Sequence, residues 1–397
     1  MPGSHSPAAV DGAAEHVVVA VDCTGADRGP AEVAAGAALA AGEGARSLLF
    51  GPASELAGAL TDAPAGMVEV VDAPVSVAKS PDPAGAVRRH RDASIVQAAV
   101  AVAQGRAQAF VCAGGTGSAL AAGLFHVKRA RGIHRPALAL PLPVPGHPVI
   151  LLDVGANAQA RPEHLEQFAF MGAALAGTLF GVERPRVGLL SNGEEAARGS
   201  ELVREAHCRL EGALGGGGAR GDAFESDAPR ARTPAPAPAR ARAGTPFFGD
   251  PPTPAFEFVG NVEGGDITSG AAHVIVTDGF TGNVALKTME GVSQAMLTAI
   301  RAAATSSSRA KLGGLLLRPS LGAFREEIDP EGQGGAYLLG LRRLGVVPHG
   351  GFARRGFARA IVRAGEGARR DLVGSTLAAL ADAGALRAAP ADVRVER

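Results

Sequence analysis

Short apolar runs recur along the chain, and almost every one stops abruptly at Gly, Asp, Asn, Ser or Thr. They cover residues 16–21, 47–51, 68–71, 109–112, 136–140, 149–152, 186–190, 256–260, 273–277, 337–341 and 346–347. Most lack the alternation of a strand with one wet face, so they read as strands buried on both sides. Helical spacing of apolar residues lies between many of them. It runs from Glu32, through Glu166, Phe168, Met171 and Leu175, through Val284, Leu286, Met289, Val292 and Met296, and from Phe357 to about Leu380. Strand, polar turn and helix in repetition predict a mostly parallel sheet with helices on both faces and a site along its carboxyl edge.

Two stretches depart from that rhythm. Residues 311–325, KLGGLLLRPSLGAFR, mix leucines with Lys311, Arg318 and Arg325. The mixture suits a membrane-interfacial segment and equally a buried dimer or core helix, while Gly313, Gly314 and Pro319 weaken a continuous helix. Residues 214–254 are biased toward Gly, Ala, Pro and Arg and have no apolar periodicity. That composition predicts a disordered insertion within one domain formed by 16–213 and 255–383, with loose tails over 1–15 and 384–397.

The strand ends carry the candidate chemistry. After the run 273–277 come Asp278, Thr281, Gly282, Asn283 and Lys287, followed by Glu290 and Gly291. A helix start rich in free N–H groups, with a lysine nearby, favours an anion. A capped connection with no ligand would use the same residues, and only their density tips the balance. Gly115, Thr116 and Gly117 form a second such turn after 109–112. Asp22 and Asp27 close the first strand, each readable as a helix cap or as a ligand. Residues 79–94 carry Lys79, Arg88, Arg89, His90 and Arg91, a solvated face or a receiver for an acidic partner or phosphate. His349 stands at a glycine turn, where a structural and a catalytic role fit about equally.

Composition narrows the field. With 397 residues and 46% hydrophobic content the chain can bury a sizeable core in one large or two ordinary domains. Lys plus Arg and Asp plus Glu are balanced at 39 each, and there is no Trp, which argues against a nucleic-acid partner. Cys23, Cys112 and Cys208 show neither CxxC nor metal-ligand spacing, which argues against a disulfide scaffold or zinc site and suits a reducing cytoplasm. No apolar run is long enough to span a bilayer, and the start lacks the marks of a secretion signal.

Several of these loops form a collinear set. Asp278-Gly279-Phe280-Thr281-Gly282-Asn283-Val284 is followed by Leu286-Lys287-Thr288 and Glu290-Gly291. Leu152-Asp153 stands with Gly155-Ala156-Asn157, Gln167-Phe168-Ala169 with Met171-Gly172, and Gly193-Glu194-Glu195, Gly335-Ala336 and His349-Gly350 complete it. From about Val17 to Leu380 the chain thereby resembles the PlsX-type phosphate acyltransferases, the bacterial acyl-ACP:phosphate transacylases of phospholipid synthesis. It departs from their pattern at Thr24, Ala26, Ala93, Ala160 and Gly334, and its 112–118 loop lacks their Asn.

The resemblance implies a Rossmann-like fold related to the isocitrate and isopropylmalate dehydrogenases, a homodimer, and no metal or redox cofactor. It implies a cytoplasmic enzyme converting acyl-ACP and inorganic phosphate into acyl phosphate and free ACP, for later acylation of glycerol 3-phosphate. The leucine and basic mixture of 311–325 would suit peripheral contact with the inner face of the membrane. On that reading the N–H groups of Thr281, Gly282 and Asn283 and of Gly115, Thr116 and Gly117 hold phosphate. Asp22, Asp27, Asn157 and Asp278 lie beside it, and Lys287 neutralises charge. His349 or Asn283 contacts the thioester oxygen or the leaving sulfur, and Arg88, Arg89 and Arg91 dock the acidic carrier. Two other readings remain: a non-catalytic ACP adaptor at the membrane surface, and an NAD- and Mg-dependent dehydrogenase with Asp153 and Asp278 near a cation.

Overall fold

A computed structural model describes residues 17–214 and 255–388. The expected insertion over 214–254 lies, apart from Leu214, outside the described residues, as do the tail over 1–15 and the chain beyond residue 388. In chain order the elements are β1 (Val18–Asp22), α1 (Pro30–Gly42), β2 (Arg46–Gly51), α2 (Ala53–Ala57), β3 (Val68–Asp72), α3 (Pro83–Arg89), α4 (Ser94–Ala103) and β4 (Ala109–Cys112). Then come α5 (Thr116–Ala122), β5 (Ala137–Leu142), β6 (Val149–Leu152), α6 (Pro162–Phe180), β7 (Arg186–Leu190), α7 (Glu201–Leu214), β8 (Glu257–Val262) and β9 (Val274–Val276). The chain closes with α8 (Gly279–Thr305), α9 (Ser308–Glu327), β10 (Ala336–Leu339), β11 (Leu344–Val347), α10 (Arg354–Arg369) and α11 (Leu372–Asp382).

The strands form one sheet in the order β3-β2-β1-β4-β11-β10-β5-β6-β9-β7-β8. Only the pairings β11–β10, β10–β5 and β5–β6 are antiparallel. The sheet is therefore two parallel blocks running in opposite senses, joined through β10 and β5, and it has two carboxyl edges rather than the single one expected.

Burial on both faces explains the apolar strands. Val19 and Val21 join Val33 and Ala37 of α1 and Phe357 and Ile361 of α10 in one core. Ala20 and Phe110, pointing the other way, join Ile95, Val96 and Ala99 of α4. Successive strand side chains point to opposite faces, so each must be apolar when helices cover both.

Two helical expectations change. The stretch from Phe357 onward is two helices, because Asp371 adopts a left-handed conformation (φ 46°) and its carboxylate accepts from Gly374 N–H, capping α11. Residues 311–325 lie within one helix, α9, with Pro319 inside it, and Leu312, Leu315, Leu316, Leu317 and Phe324 are exposed rather than in the core. The spacing at Val292 and Met296 also marks a helix, but its apolar residues face outward. Helices α8 and α9 pack on each other as a hairpin, and Met296, Leu297 and Ile300 of α8 and Leu312, Leu315, Leu316 and Leu317 of α9 are exposed. Among the described residues no helix is long and apolar enough to cross a membrane.

Candidate active site

The loops after β1, β4 and β11 meet backbone to backbone. Asp27 N–H donates to Gly350 O (2.8 Å), Gly114 N–H to Pro348 O (3.2 Å) and Ala113 N–H to Asp22 O (3.3 Å). A side chain at Gly25 would collide with the Ala113 carbonyl, so this approach requires glycine. Beneath the junction Asp22 is buried. Its Oδ1 accepts from Thr24 N–H (3.1 Å), the Thr24 hydroxyl (2.9 Å) and the Ser94 hydroxyl (2.6 Å), and its Oδ2 from the Cys112 thiol (3.2 Å). Asp22 thus shapes the first loop and, unlike Asp27, is not among the residues lining the cleft onto which these loops open. Thr24, a departure from the family pattern, supplies two of those donors. Burial, with Asp22 adding to it, pushes the Cys112 and Cys23 thiols well up, so neither is a ready nucleophile.

In the other block, Asp153 is held at φ 73° and fully buried. Its carboxylate accepts from Gly155 N–H (3.4 Å), Ala156 N–H (2.8 Å), Asn157 N–H (3.1 Å) and Asn157 Nδ2 (2.8 Å). Desolvation raises its pKa, and these bonds pull the other way. Asn157 also donates to Pro136 O and is buried, so it braces the loop and does not line the cleft. The braced loop presents Gly155 and the Val154 carbonyl, which accepts from Asn283 Nδ2 (3.1 Å).

The start of α8 behaves differently from the anion cradle expected there. Asp278 Oδ1 accepts from Phe280 N–H (3.0 Å) and Thr281 N–H (2.9 Å), its Oδ2 takes the Thr281 hydroxyl (2.7 Å), and Gly282 N–H bonds to Asp278 O (2.9 Å). Asp278 is an N-cap, and it takes up two of the three backbone donors assigned to phosphate, those of Thr281 and Gly282. Gly282 serves close packing, since a side chain there would strike the Asp153 carbonyl. The capped turn aims Asn283, Leu286, Lys287 and Glu290 into the cleft. Lys287 Nζ lies 2.8 Å from Glu290 Oε2, both exposed. At α5, by contrast, Gly115 is an N-cap without a side-chain acceptor, so the first N–H groups of that helix are left unclaimed by the chain.

All these loops open on one cleft of about 630 Å³. Gly25, Asp27, Lys79, Gly114, Thr116, Gly155, Asn283, Lys287, His349 and Gly350 line it, with Leu138, Leu140, Leu286 and Phe352 as its apolar surface. His349 Nδ1 accepts from Gly351 N–H (3.1 Å), which leaves the neutral ring's proton on Nε2. Lys79, which pairs with Asp27 at 3.3 Å, was visible in the sequence only as part of a basic run. The apolar lining from β5 was not singled out, since Leu138 and Leu140 look like any core strand.

Gly115 and Gly117 pack against Ala78 and Pro83 and do not line the cleft. The three arginines do not share one hollow: Arg89 lines a neighbouring pocket, whereas Arg88 and Arg91 line a separate one in which Arg88 stacks over Phe125 at 4.5 Å. Asp153 and Asp278 have their oxygens turned to N–H donors and, at Asp278 Oδ2, to the Thr281 hydroxyl, which does not suit the cation imagined beside them. Among the described residues, His134, Glu163 and His164 have metal-ligand spacing, their ligand atoms within 4.8 Å of one another. His164 Nδ1 accepts from Arg161 N–H (3.2 Å), so that side chain also helps to build the start of α6.

The architecture is that of the phosphotransacetylases. EutD phosphotransacetylase from Staphylococcus aureus superposes with a TM-score of 0.53 at 15% identity, covering 89% of this chain and 94% of that one. A phosphotransacetylase from Streptococcus pyogenes gives 0.51 at 16%, covering 88% and 93%. Sequence narrows the class further. The family described as "Fatty acid synthesis protein" matches residues 17–216 and 252–374. The phosphate acyltransferase of Bacillus licheniformis is 37% identical over 364 residues, 91% of this chain and 96% of its own. That of Moorella thermoacetica is 37% identical over 345 residues, 86% and 90% respectively. The chain belongs to the phosphate acyltransferase family, and it is a transferase.

Proposed function

We propose that the protein transfers a fatty acyl group from acyl carrier protein to inorganic phosphate, giving acyl phosphate and free carrier for glycerol-3-phosphate acylation, as a cytoplasmic homodimer. The observation that carries this reading is the single cleft uniting the 114–116, 283–290 and 349–350 segments over an apolar surface. Phosphate needs cations and N–H donors, an acyl chain needs apolar lining, and the cleft offers both.

The chemistry asks little of a general base. Phosphate is largely dianionic near neutrality, by analogy with esters whose second pKa is about 6, and a free thiol has a pKa of about 8.5. A phosphate oxygen attacks the thioester carbon, the C–S bond breaks, and the phosphate's proton ends on the departing sulfur. Lys287, released from Glu290, and Lys79, released from Asp27, hold the anion beside Thr116, the one α5 residue that lines the cleft. His349 Nε2–H and the second hydrogen of Asn283 Nδ2 face the carbonyl oxygen and the leaving sulfur.

The test is incubation with long-chain acyl-ACP and phosphate, trapping acyl phosphate as a hydroxamate while titrating free ACP thiol. Equal, phosphate-dependent yields of both are expected. Thiol release without hydroxamate would point to hydrolysis, and ACP binding without either product would favour the adaptor.

A further inference from the structure

Beside the cleft lies a second cavity of about 480 Å³, lined by Thr24, Ser76, Lys79, Ser80, Arg89 and His90 among others. Lys79 lines both cavities, so they share a wall. Two cations, an imidazole and three hydroxyls face this second space, and no carboxylate lines it. Its wall is anchored: the Ser118 hydroxyl donates to Val77 O (2.8 Å), the Ser76 hydroxyl donates to Thr24 O (3.1 Å), and Gly115 packs against Ala78.

We infer that this pocket binds the phosphate at the far end of the acyl donor's pantetheine arm. The inference rests on the proposed function, which requires a thioester delivered on such an arm. A thioester held in the main cleft has an acyl chain on one side of its sulfur and the arm on the other. The arm ends in a phosphate, and the adjoining cavity is the one that offers a matching charge. The pocket's cations are engaged only by exposed partners, Asp27 at 3.3 Å from Lys79 and Asp82 at 3.6 Å from Arg89. Exposed pairs of this kind contribute little, so the arm's phosphate can draw Arg89 away from Asp82, while Lys79 on the shared wall serves the phosphate in the main cleft.

The experiment compares kcat/KM for acyl-pantetheine with and without its 4′-phosphate, in the parent and in Arg89→Ala, His90→Ala and Arg89→Lys. The parent should prefer the phosphorylated donor by about tenfold or more, the scale of one charge-assisted hydrogen bond. That ratio should fall toward unity in Arg89→Ala, largely through KM, and recover in part in Arg89→Lys. Equal use of the two donors by the parent, or a ratio unchanged in Arg89→Ala and His90→Ala, overturns the inference while leaving acyl transfer standing. No phosphate-dependent turnover of any donor overturns both. Acyl-ACP and acyl-CoA distinguish the sources: a KM rise in Arg89→Ala confined to one assigns the pocket to that donor's phosphate, and a rise with neither overturns it.

Discussion

On the proposed mechanism, Lys287 and His349, which both line the cleft, touch the reacting atoms most directly. Loss of one well-placed donor to a developing oxyanion costs about 100- to 1,000-fold in rate. Lys287→Ala and His349→Ala should each lower acyl-phosphate formation on that scale, with the fold intact by circular dichroism. Values within a few-fold of the parent would remove them from the reaction. That both face the cleft was legible in the sequence, because a lysine about two turns into a helix that follows a strand-end glycine, and a histidine at a strand-end glycine, have few alternatives. Asp278 was not. A carboxylate between strand and helix reads identically as ligand and cap, and only its bonds to Phe280 and Thr281 decide. Asp278→Ala should therefore act chiefly on stability, by about 1 kcal/mol, while Asp278→Asn retains most of it. Denaturation midpoints would check this.

Between elements, one contact shows how the fold responds to acid. Glu32 of α1 accepts from Arg354 N–H (2.9 Å) and pairs with its guanidinium (3.1 Å), tying the start of α10 to α1. The hydrogen bond from the Arg354 side chain, then that from its backbone, lowers the Glu32 pKa. A carboxylate with a depressed folded pKa stabilises above its unfolded value, about 4.3, and that stabilisation is lost as pH falls through the folded value. Parent and Glu32→Gln should differ in urea midpoint at pH 7 and converge as pH falls through that range. A gap that persists in acid would contradict this. The existence of the strands and most helices could be read from periodicity. Their directions could not, since a short apolar run such as 149–152 has the same pattern whichever way it lies, and so the antiparallel centre was missed. The breaks were equally hidden: Asp371 interrupts a continuous helical pattern, and Pro319 fails to interrupt one.

Across the whole molecule, the α8–α9 hairpin links the cleft to an unclaimed surface. Helix α8 begins with Asn283 and Lys287 in the cleft and runs on to Met296, Leu297 and Ile300, which are exposed together with Leu312, Leu315 and Leu316 of α9. So many exposed large apolar side chains on one hairpin of a folded chain make it a candidate interaction surface. In the sequence the leucine stretch was readable as apolar and basic, but membrane, partner copy and core all fit it; the fold removes the core. If two copies pair through this hairpin, Ile300→Glu and Leu316→Glu, alone or combined, should convert a dimer to a monomer in sedimentation velocity. Activity should fall with the dimer, because α8 would lose the support that steadies Lys287. If the hairpin instead meets lipid, the same variants should stay dimeric and lose flotation with anionic vesicles. Variants unchanged in both assays would mean that the exposed leucines serve neither purpose and that α8 holds Lys287 unaided.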